Sequence, residues 1–307
     1  MLGRVTVVGC GLIGGSLVKR LRERGGFARL GGIDRPEVLA AARAYLDDGA
    51  SPGQTSAVSM VADSDLVVLA TPVGIIAQDL GWVLDAIGSD AVVTDTGSVK
   101  QVIADVAAHH ERGTRFVGGH PMAGHEVGGF DASSPDLFEG ARWFVVAPPM
   151  TSGSARQTAG ATMRLTHSDA LARVVELIGE MGAEPVFVEP DVHDRAMAFV
   201  SHAPQLVASA VFAAAAGAGV LGDGGTGFRD LTRIAGGPSA MWYEIFSTNR
   251  HRIASALGVI LDSLIRVRDG LAQSDDAGLV AALELLEQVQ AARHSPSGHM
   301  RRAREAP

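Results

Sequence analysis

The stretch RVTVVGCGLIGGSL, residues 4–17, decides the fold of this 307-residue chain. Its part from Val5 to Val8 predicts a buried parallel strand, and the residues that follow complete the pattern G-x-G-x-x-G at the start of an apolar helix. Glycines at these places let the backbone approach a pyrophosphate, whose charge is stabilised at the helix N-terminus. The alternative is a tight strand-to-helix turn that binds nothing. We therefore expect cofactor contacts from the motif and the residues inside it, namely Gly9, Gly11, Leu12, Ile13 and Gly14.

An acidic residue follows the glycine motif at the spacing of a dinucleotide site. Asp34 lies twenty residues after Gly14, at the end of the apolar run LGGI. A carboxylate there accepts hydrogen bonds from a ribose diol and repels a 2′-phosphate, so it favours NAD over NADP. Arg35 opposes that preference if its side chain turns inward to pair with the phosphate. Thr71 and Pro72 end a later apolar run where the nicotinamide half of NAD would lie, although a proline in a turn needs no such role.

The organisation of the chain changes near residue 190. Before that point apolar runs alternate with helical or loop segments, which is the pattern of an α/β domain with a parallel sheet and crossover helices. The predicted later strands are residues 66–70, 91–94, 116–118, 143–147 and 184–188, with a loop over 148–168 and a helix over 169–181. Beyond residue 190 the sequence has helical periodicity, alanine-rich faces and no convincing strand. We predict a Rossmann-type domain over residues 1–190, an all-helical domain over 191–293, whose last helix spans about 278–292, and a disordered tail over 294–307.

Composition argues against several classes of partner. The net charge is -8 and aromatic residues make up 5% of the chain, so the sequence has no basic stripe for nucleic acid. The single cysteine, Cys10, excludes a disulfide framework and a thiolate zinc cluster. No basic segment with a cleavage site precedes the first strand. We expect a cytoplasmic protein.

One uncharged stretch, Ala196 to Gly222, is long enough to span a bilayer. It contains His202, Pro204 and Gln205 and consists mainly of alanine and glycine, so it predicts a helix buried on all sides between protein surfaces and no membrane span. Its apolar surface exceeds what one small domain readily covers, which predicts a homodimer.

The run GGHPMAG, residues 118–124, places a histidine just past a predicted strand, on what we expect to be a glycine-hinged loop. An unperturbed imidazole titrates near neutrality, so His120 is suited to accept a hydroxyl proton as hydride leaves the same carbon. A lone loop histidine is more often a surface or capping residue. His125 and Glu126 follow, but their spacing is not a zinc pattern and we predict no metal.

The run TDTGSVK, residues 94–100, ends another strand at the edge where ligands bind. Gly97 and Ser98 are expected to open a helix, with Ser98 as its N-cap, as a substrate contact, or as both. In the helical part, Arg229 and Arg233 would share one helix face, and LTRIA predicts partial burial of Arg233. A buried arginine needs an anion, which is either Asp230 or a substrate carboxylate. Trp242 either belongs to the hydrophobic core or forms one wall of a pocket for an aromatic ligand.

Together GCGLIGGSL, TDTGSVK, GGHPMAG, SHAPQ and FRDLTRIA resemble, in this order, the prephenate and arogenate dehydrogenase family of tyrosine biosynthesis. The resemblance implies an NAD-binding Rossmann domain followed by a helical domain through which two subunits dimerise. It also implies oxidative decarboxylation of prephenate to 4-hydroxyphenylpyruvate, or of arogenate to tyrosine. By motif position, His120 would deprotonate the C4 hydroxyl with support from Ser98. Substrate contacts would come from Arg233, which would bind a carboxylate, and from His202, Gln205, Trp242 and Glu126.

Two features bear on specificity and on rival functions. Many prephenate-using relatives have S-H-L-P-H where this chain has SHAPQ, so Gln205 leaves the choice between prephenate and arogenate open. A β-hydroxyacid dehydrogenase would usually use a lysine in its helical domain, and no lysine follows Lys100. A redox sensor that binds the dinucleotide without turnover would not need His120, Ser98 and Arg233 together.

Overall fold

A computed structural model describes residues 2–125, 127–146, 167–273 and 277–294 of the chain. The chain divides into two compact units, Met1–Asn249 and Arg250–Pro307, and each is described by itself. The first unit contains the sheet and several helices. In the second unit, helices α11 (Arg250–Leu271) and α12 (Ala277–His294) pack against each other. The domain bounds expected at residues 190 and 293 stay predictions.

The described strands of the first unit form one sheet in the order β3-β2-β1-β4-β5-β6-β7-β8. Strands β1 to β6 run parallel to one another, β7 is antiparallel to β6, and β8 is parallel to β7. The bounds are β1 Arg4–Val8, β2 Arg29–Ile33, β3 Asp48–Ala50, β4 Leu66–Leu69, β5 Val92–Asp95, β6 Phe116–Pro121, β7 Arg142–Val146 and β8 Glu184–Phe187. The expected Rossmann-type fold is confirmed, but the sequence did not predict that β7 runs antiparallel to β6.

The helices of the first unit cover both faces of the sheet and then continue as a helical segment. Their bounds are α1 Leu12–Arg24, α2 Pro36–Ala42, α3 Thr55–Ala62, α4 Val73–Ala86, α5 Gln101–Ala108, α6 His167–Glu180, α7 Pro190–Met197, α8 Ala203–Gly217, α9 Thr226–Thr232 and α10 Ser239–Thr248. The second unit has α11 Arg250–Leu271 and α12 Ala277–His294. Every described element after β8 is a helix or helical turn, which confirms the all-helical expectation.

The core lies on the two faces of the sheet, because its central strands are apolar throughout. All four residues of β4 are buried, as a parallel strand covered on both sides requires. Val5 and Val7 point to one face and pack with Leu17 of α1 and Leu177 of α6. The opposite face packs against α3, α4 and α5. This sandwich holds the carboxyl ends of β1, β4, β5 and β6 at one edge.

Several local expectations were wrong. Strand β6 extends to Pro121, so His120 lies in a strand, paired with Phe144 of β7, and not on a loop. Helix α5 begins at Gln101, so Gly97 and Ser98 do not open it and Ser98 is not its N-cap. The loop predicted over 148–168 lies largely outside the described residues, and its last two residues belong to α6. The predicted tail lies outside them too, apart from His294 at the end of α12.

The uncharged stretch, Ala196 to Gly222, begins with the last two residues of α7 and continues through a π-helical turn, Ala198–His202, and α8. Among the described residues, Pro190–Gly217 alone is long and apolar enough to cross a membrane by length and composition, a test that core helices of soluble proteins also pass. Within one chain the stretch is only partly buried, and the expectation of burial between protein surfaces stays a prediction. Phe199, Val200 and Phe212 are exposed.

Candidate active site

The glycine loop between β1 and α1 has the space that a pyrophosphate needs. Gly9 has a φ of 91°, and a Cβ on Gly14 would lie 1.8 Å from the carbonyl oxygen of Gly9, so both positions require glycine. No described atom lies within 4 Å of a Cβ built on Gly11. The first turn of α1 carries no acidic residue, and Leu12 and Ile13 there are half-buried. The loop therefore fits an anion at the N-terminus of α1.

The end of β2 supplies the carboxylate expected beside a ribose. Asp34 accepts hydrogen bonds from the backbone N–H of Cys10 at 2.6 Å and of Arg35 at 2.7 Å, which fixes the carboxylate beside the glycine loop. Each carboxylate oxygen has a further lone pair for a diol. The Arg35 side chain is 72% exposed and lies 3.4 Å from Glu37 and 3.9 Å from Asp34, so it is already paired with carboxylates. These residues fit NAD better than NADP.

The end of β4 meets the glycine loop and contributes Thr71 and Pro72. A Cβ on Gly9 would lie 2.8 Å from the backbone of Thr71, so the two loops touch. Pro72 is the N-cap residue of α4. The buried hydroxyl oxygen of Thr71 has no hydrogen-bond partner among the described residues. A buried polar atom beside the glycine loop is suited to a cofactor contact.

The two glycines before His120 allow close packing at the end of β6. A Cβ on Gly119 would lie 2.5 Å from the backbone oxygen of Asp95 and 2.7 Å from Nε1 of Trp143. A Cβ on Gly118 would lie 3.0 Å from the backbone oxygen of Val146. Neither glycine has a positive φ, and both lie within β6, not on a loop. They bring His120 against the neighbouring strands.

A buried ion pair locks the end of β5 to β6. The Lys100 ammonium pairs with the Asp95 carboxylate and donates to the backbone oxygen of Gly119 at 2.7 Å. Asp95 in turn accepts from the backbone N–H groups of Gly119 and Gly97, both at 2.9 Å. Burial lowers the pKa of Lys100, and Asp95 opposes that effect. The pair therefore fixes the strand that carries His120.

His120 is the first member of a chain of three side chains. Its Nδ1 lies 2.9 Å from Nε2 of His193, and Nδ1 of His193 lies 2.8 Å from Oδ1 of Asp194. His193 and Asp194 are fully buried on α7, and the His120 ring is half-buried. Asp194 also accepts from the backbone N–H of Lys100 at 2.7 Å and of Gln101 at 2.9 Å. The carboxylate thereby caps α5 and supports the two histidines.

The surroundings of His120 and His193 keep both imidazoles neutral near pH 7. Burial is the largest cause that lowers the pKa of His120 well below 6.5, and His193, Lys100 and His202 lower it further. Burial also lowers the pKa of His193, although the hydrogen bond to Asp194 raises it. His120 is therefore an unprotonated acceptor at neutral pH. This state is the one that general base chemistry requires.

A second pair of polar side chains lies deeper in the helical segment. His202 is buried at the end of the π-helical turn, with its Nδ1 3.1 Å from Nδ2 of Asn249. The rings of His202 and the half-buried Trp242 are nearly perpendicular, with 6.3 Å between the ring centroids. Burial lowers the pKa of His202 to about 4. The imidazole of His202 and the indole of Trp242 therefore pack against each other.

The remaining predicted substrate residues differ in how far they are buried. Gln205 is buried on α8, with 6% of its surface exposed. Arg233 is exposed, contrary to the expected partial burial, because α9 ends at Thr232 and Arg233 begins a 3₁₀ turn. Arg229 lies within α9, whereas Arg233 follows the last residue of that helix. Glu126 lies outside the described residues, and Ser98 is half-buried beyond β5.

Two family models match this chain in succession. Residues 17–160 match the nucleotide-binding domain of prephenate dehydrogenase, and residues 189–285 match the prephenate dehydrogenase dimerization domain. The chain belongs to the prephenate dehydrogenase family. The resemblance inferred from the five motifs is confirmed.

Individual relatives agree with the family models. A prephenate dehydrogenase of Bacillus subtilis (strain 168) is 29% identical over 302 residues, which cover 91% of this chain and 73% of that protein. The crystal structure of the Aquifex aeolicus prephenate dehydrogenase, in complex with hydroxyphenyl propionate and NAD+, has a TM-score of 0.77 at 29% identity and covers 95% of this chain and 98% of that one. The Synechocystis arogenate dehydrogenase has a TM-score of 0.72 at 27% identity, over 94% and 98% of the two chains. The expectation of an NAD-dependent dehydrogenase is thus confirmed.

Sequence reasoning missed three residues of the site in this family member. His193, Asp194 and Asn249 are buried polar groups that connect the helical segment to His120 and His202. A signal for the first two was present: the adjacent pair lies at the entry to the uncharged stretch, where a buried polar pair needs partners. Asn249 had no comparable signal.

Proposed function

We propose that this chain is a prephenate dehydrogenase that converts prephenate to 4-hydroxyphenylpyruvate and CO2 with NAD as the oxidant. The observation that carries the proposal is the neutral His120 at the carboxyl end of the nucleotide-binding sheet, hydrogen bonded to His193 at 2.9 Å. Ligands of parallel α/β sheets bind at this edge. A base held there is placed to act on a substrate beside a nicotinamide.

The chemistry assigns one task to each group. NAD held by the glycine loop and Asp34 would supply the acceptor for the hydride on C4 of the substrate ring. His120 accepts the proton of the C4 hydroxyl, so a C4=O bond forms as the hydride leaves. The ring carboxylate then departs as CO2, and its bonding electrons complete the aromatic ring. The carbonyl oxygen then takes back the proton from His120 to become the phenol, so no net proton is gained or lost.

The other predicted residues would bind the two ends of the substrate. We assign Arg233 to a substrate carboxylate, since a guanidinium binds carboxylates bidentately. Ser98 is assigned to the C4 hydroxyl beside His120, and His202 with Trp242 to the pocket wall. Glu126 remains a proposed contact on the strength of the motif alone. Cofactor contacts are assigned to Gly9, Gly11, Leu12, Ile13, Gly14, Asp34, Arg35, Thr71 and Pro72.

Arogenate is the second candidate substrate, and Gln205 is the reason. Arogenate carries an ammonium where prephenate carries a keto group. Gln205 is buried, and its neutral amide both donates and accepts hydrogen bonds, so it suits either side chain. Steady-state NADH formation with each substrate supplied separately tests the assignment. Turnover of neither compound would overturn it.

A homodimer in the cytoplasm is the proposed working form, without nucleic acid or membrane partners. The match of residues 189–285 to a dimerization domain supports the dimer, as do exposed apolar side chains such as Phe199 and Phe212. The buried single thiol of Cys10, whose pKa burial raises to about 12, suits a reducing compartment. Light scattering on the active enzyme tests the dimer, because an active monomer of about 31.8 kDa would contradict it.

A further inference from the structure

The proton positions along the chain His120–His193–Asp194 follow from its chemistry. Asp194 accepts two backbone N–H groups, from Lys100 and Gln101, which can only donate. Such donors need acceptor oxygens, and a carboxylate accepts and does not donate. The Nδ1 atom of His193, 2.8 Å from Asp194, must therefore carry a hydrogen. The first link of the chain is thus directed from His193 to Asp194.

The second link depends on the charge of His193. A charged His193 would donate from both nitrogens, and His120 would then accept at Nδ1 and keep its hydrogen on Nε2. A neutral His193 has its lone pair on Nε2 and accepts a hydrogen from Nδ1 of His120, 2.9 Å away. The ring is fully buried, and burial lowers its pKa, so the neutral form prevails near pH 7.

We propose that His193 is the positioning residue that holds His120 with its hydrogen on Nδ1 and its lone pair on Nε2. This inference rests on the proposed role of His120 as the proton acceptor. An imidazole without the fixed neighbour would divide between two tautomers, and only one of them presents a lone pair at Nε2. Asp194 acts one step further away, since it orients His193 in the same manner as a carboxylate orients a catalytic histidine.

Nitrogen NMR of the full-length enzyme labelled with ¹⁵N-histidine tests the tautomer directly. The His120 signals are assigned by their loss in His120→Asn. In the wild type at pH 7 we expect a protonated Nδ1 and an unprotonated Nε2. In His193→Asn, whose amide reaches Asp194 but not His120, the His120 signals should move toward those of mixed tautomers. A wild-type hydrogen on Nε2, or unchanged signals in the variant, would overturn the proposal.

Kinetics of two matched variants separate positioning from general damage. His193→Gln places an amide oxygen near the position of Nε2, where it accepts from His120, whereas His193→Asn does not reach. We expect kcat to fall at least about tenfold in His193→Asn and by a smaller factor in His193→Gln. Both losses should stay below the factor of about 10² to 10⁴ that is typical of losing a general base. The KM for NAD should stay close to the wild-type value in both. An equal loss in the two variants would contradict a positioning role.

A packing control and the wild-type assay complete the design. Met197→Leu changes a buried apolar residue of α7 without polar partners, and it should leave kcat and the His120 signals unchanged. If Met197→Leu lowers kcat as much as His193→Asn, packing of α7 explains the loss and the proposal falls. The tautomer is measured without substrate. An enzyme that turns over neither prephenate nor arogenate but shows the expected signals would therefore overturn the substrate assignment and support the positioning role.

Discussion

The side-chain nitrogen Nδ2 of Asn249 lies 3.1 Å from Nδ1 of His202. An amide nitrogen donates, so Nδ1 of His202 accepts and the hydrogen of the neutral ring lies on Nε2. Asn249 also donates to the backbone oxygen of Asp194 at 2.9 Å, which ties this pair to α7. His202 is therefore held as a neutral hydrogen-bond donor.

Folding stability should depend on the neutral state of His202. Burial lowers its pKa from 6.5 to about 4 in the folded chain, while the unfolded chain keeps the ordinary value. Between these values the unfolded state binds more protons, so the free energy of unfolding falls as pH falls. The shift corresponds to roughly 3 kcal/mol over the whole window. Urea denaturation from pH 7 to pH 4 should show a flatter pH dependence for His202→Gln than for the wild type. Parallel curves would contradict this assignment.

His120→Asn should reduce kcat by about 10² to 10⁴, the usual contribution of a general base, while the Kd for NAD changes little. The acid limb of the kcat/KM profile reports the free enzyme, and the pKa of His120 is lowered well below 6.5 by burial and by His193, Lys100 and His202. The wild-type kcat/KM should therefore be flat near neutrality and fall only well below pH 6.5. His109→Asn changes an exposed histidine and serves as the control. Near wild-type turnover by His120→Asn would end the assignment.

Asp34→Ser should narrow the preference for NAD over NADP, because it removes the carboxylate that repels a 2′-phosphate. The measurement is kcat/KM for both cofactors in the wild type and the variant. Arg24→Gln is the control. It changes an exposed arginine in the last turn of α1, away from the glycine loop, so the ratio should change little. A wild-type enzyme that prefers NADP would refute the role of Asp34.

Arg233→Lys should raise the KM for prephenate far more than the KM for NAD, since a point charge does not reproduce a bidentate contact with a carboxylate. Arg229→Lys, four residues earlier on α9 and also exposed, should leave both KM values unchanged. Circular dichroism melts of the same samples report stability. A lower melting temperature together with equal increases in both KM values would instead indicate a structural ion pair.

Gln205→His should raise the ratio of kcat/KM for prephenate to that for arogenate. A histidine at this position acts mainly as a donor when charged, which favours a keto acid and disfavours an ammonium. Because Gln205 is buried, the replacement changes a polar group inside the protein and not on its surface. An unchanged ratio would show that residue 205 does not contact the substrate side chain.

The sequence predicted the elements whose pattern is local. Strands such as β4 are continuous apolar runs because both faces are buried, and the motif of residues 9–14 has a fixed backbone geometry. Strand β3 was missed because its three residues, Asp48–Ala50, have no apolar pattern. The end of β6 was misread as a loop, because the glycines there serve contacts with Asp95 and Trp143 that only the folded chain contains.

The site was predictable where a motif names the residue and unpredictable where a partner comes from far along the chain. His120 stands in a short motif, but its neighbour His193 is 73 residues away. Asp194 contacts Lys100 across 94 residues. No spacing rule connects such pairs, because the approach of α7 to α5 depends on the packing of the whole unit. The proposed roles of these residues stay predictions until they are tested.

The cap that Asp194 places on α5 has a consequence for how the enzyme is assembled. The nucleotide loop is complete once β1, β2 and α1 have formed, whereas the base is oriented only after α7 has docked. A fragment that ends before Pro190 would thus retain the elements for the dinucleotide but lack His193 and Asp194, the proposed supports of His120. Efficient proton removal would then require the helical segment that follows residue 190 to be joined to the sheet.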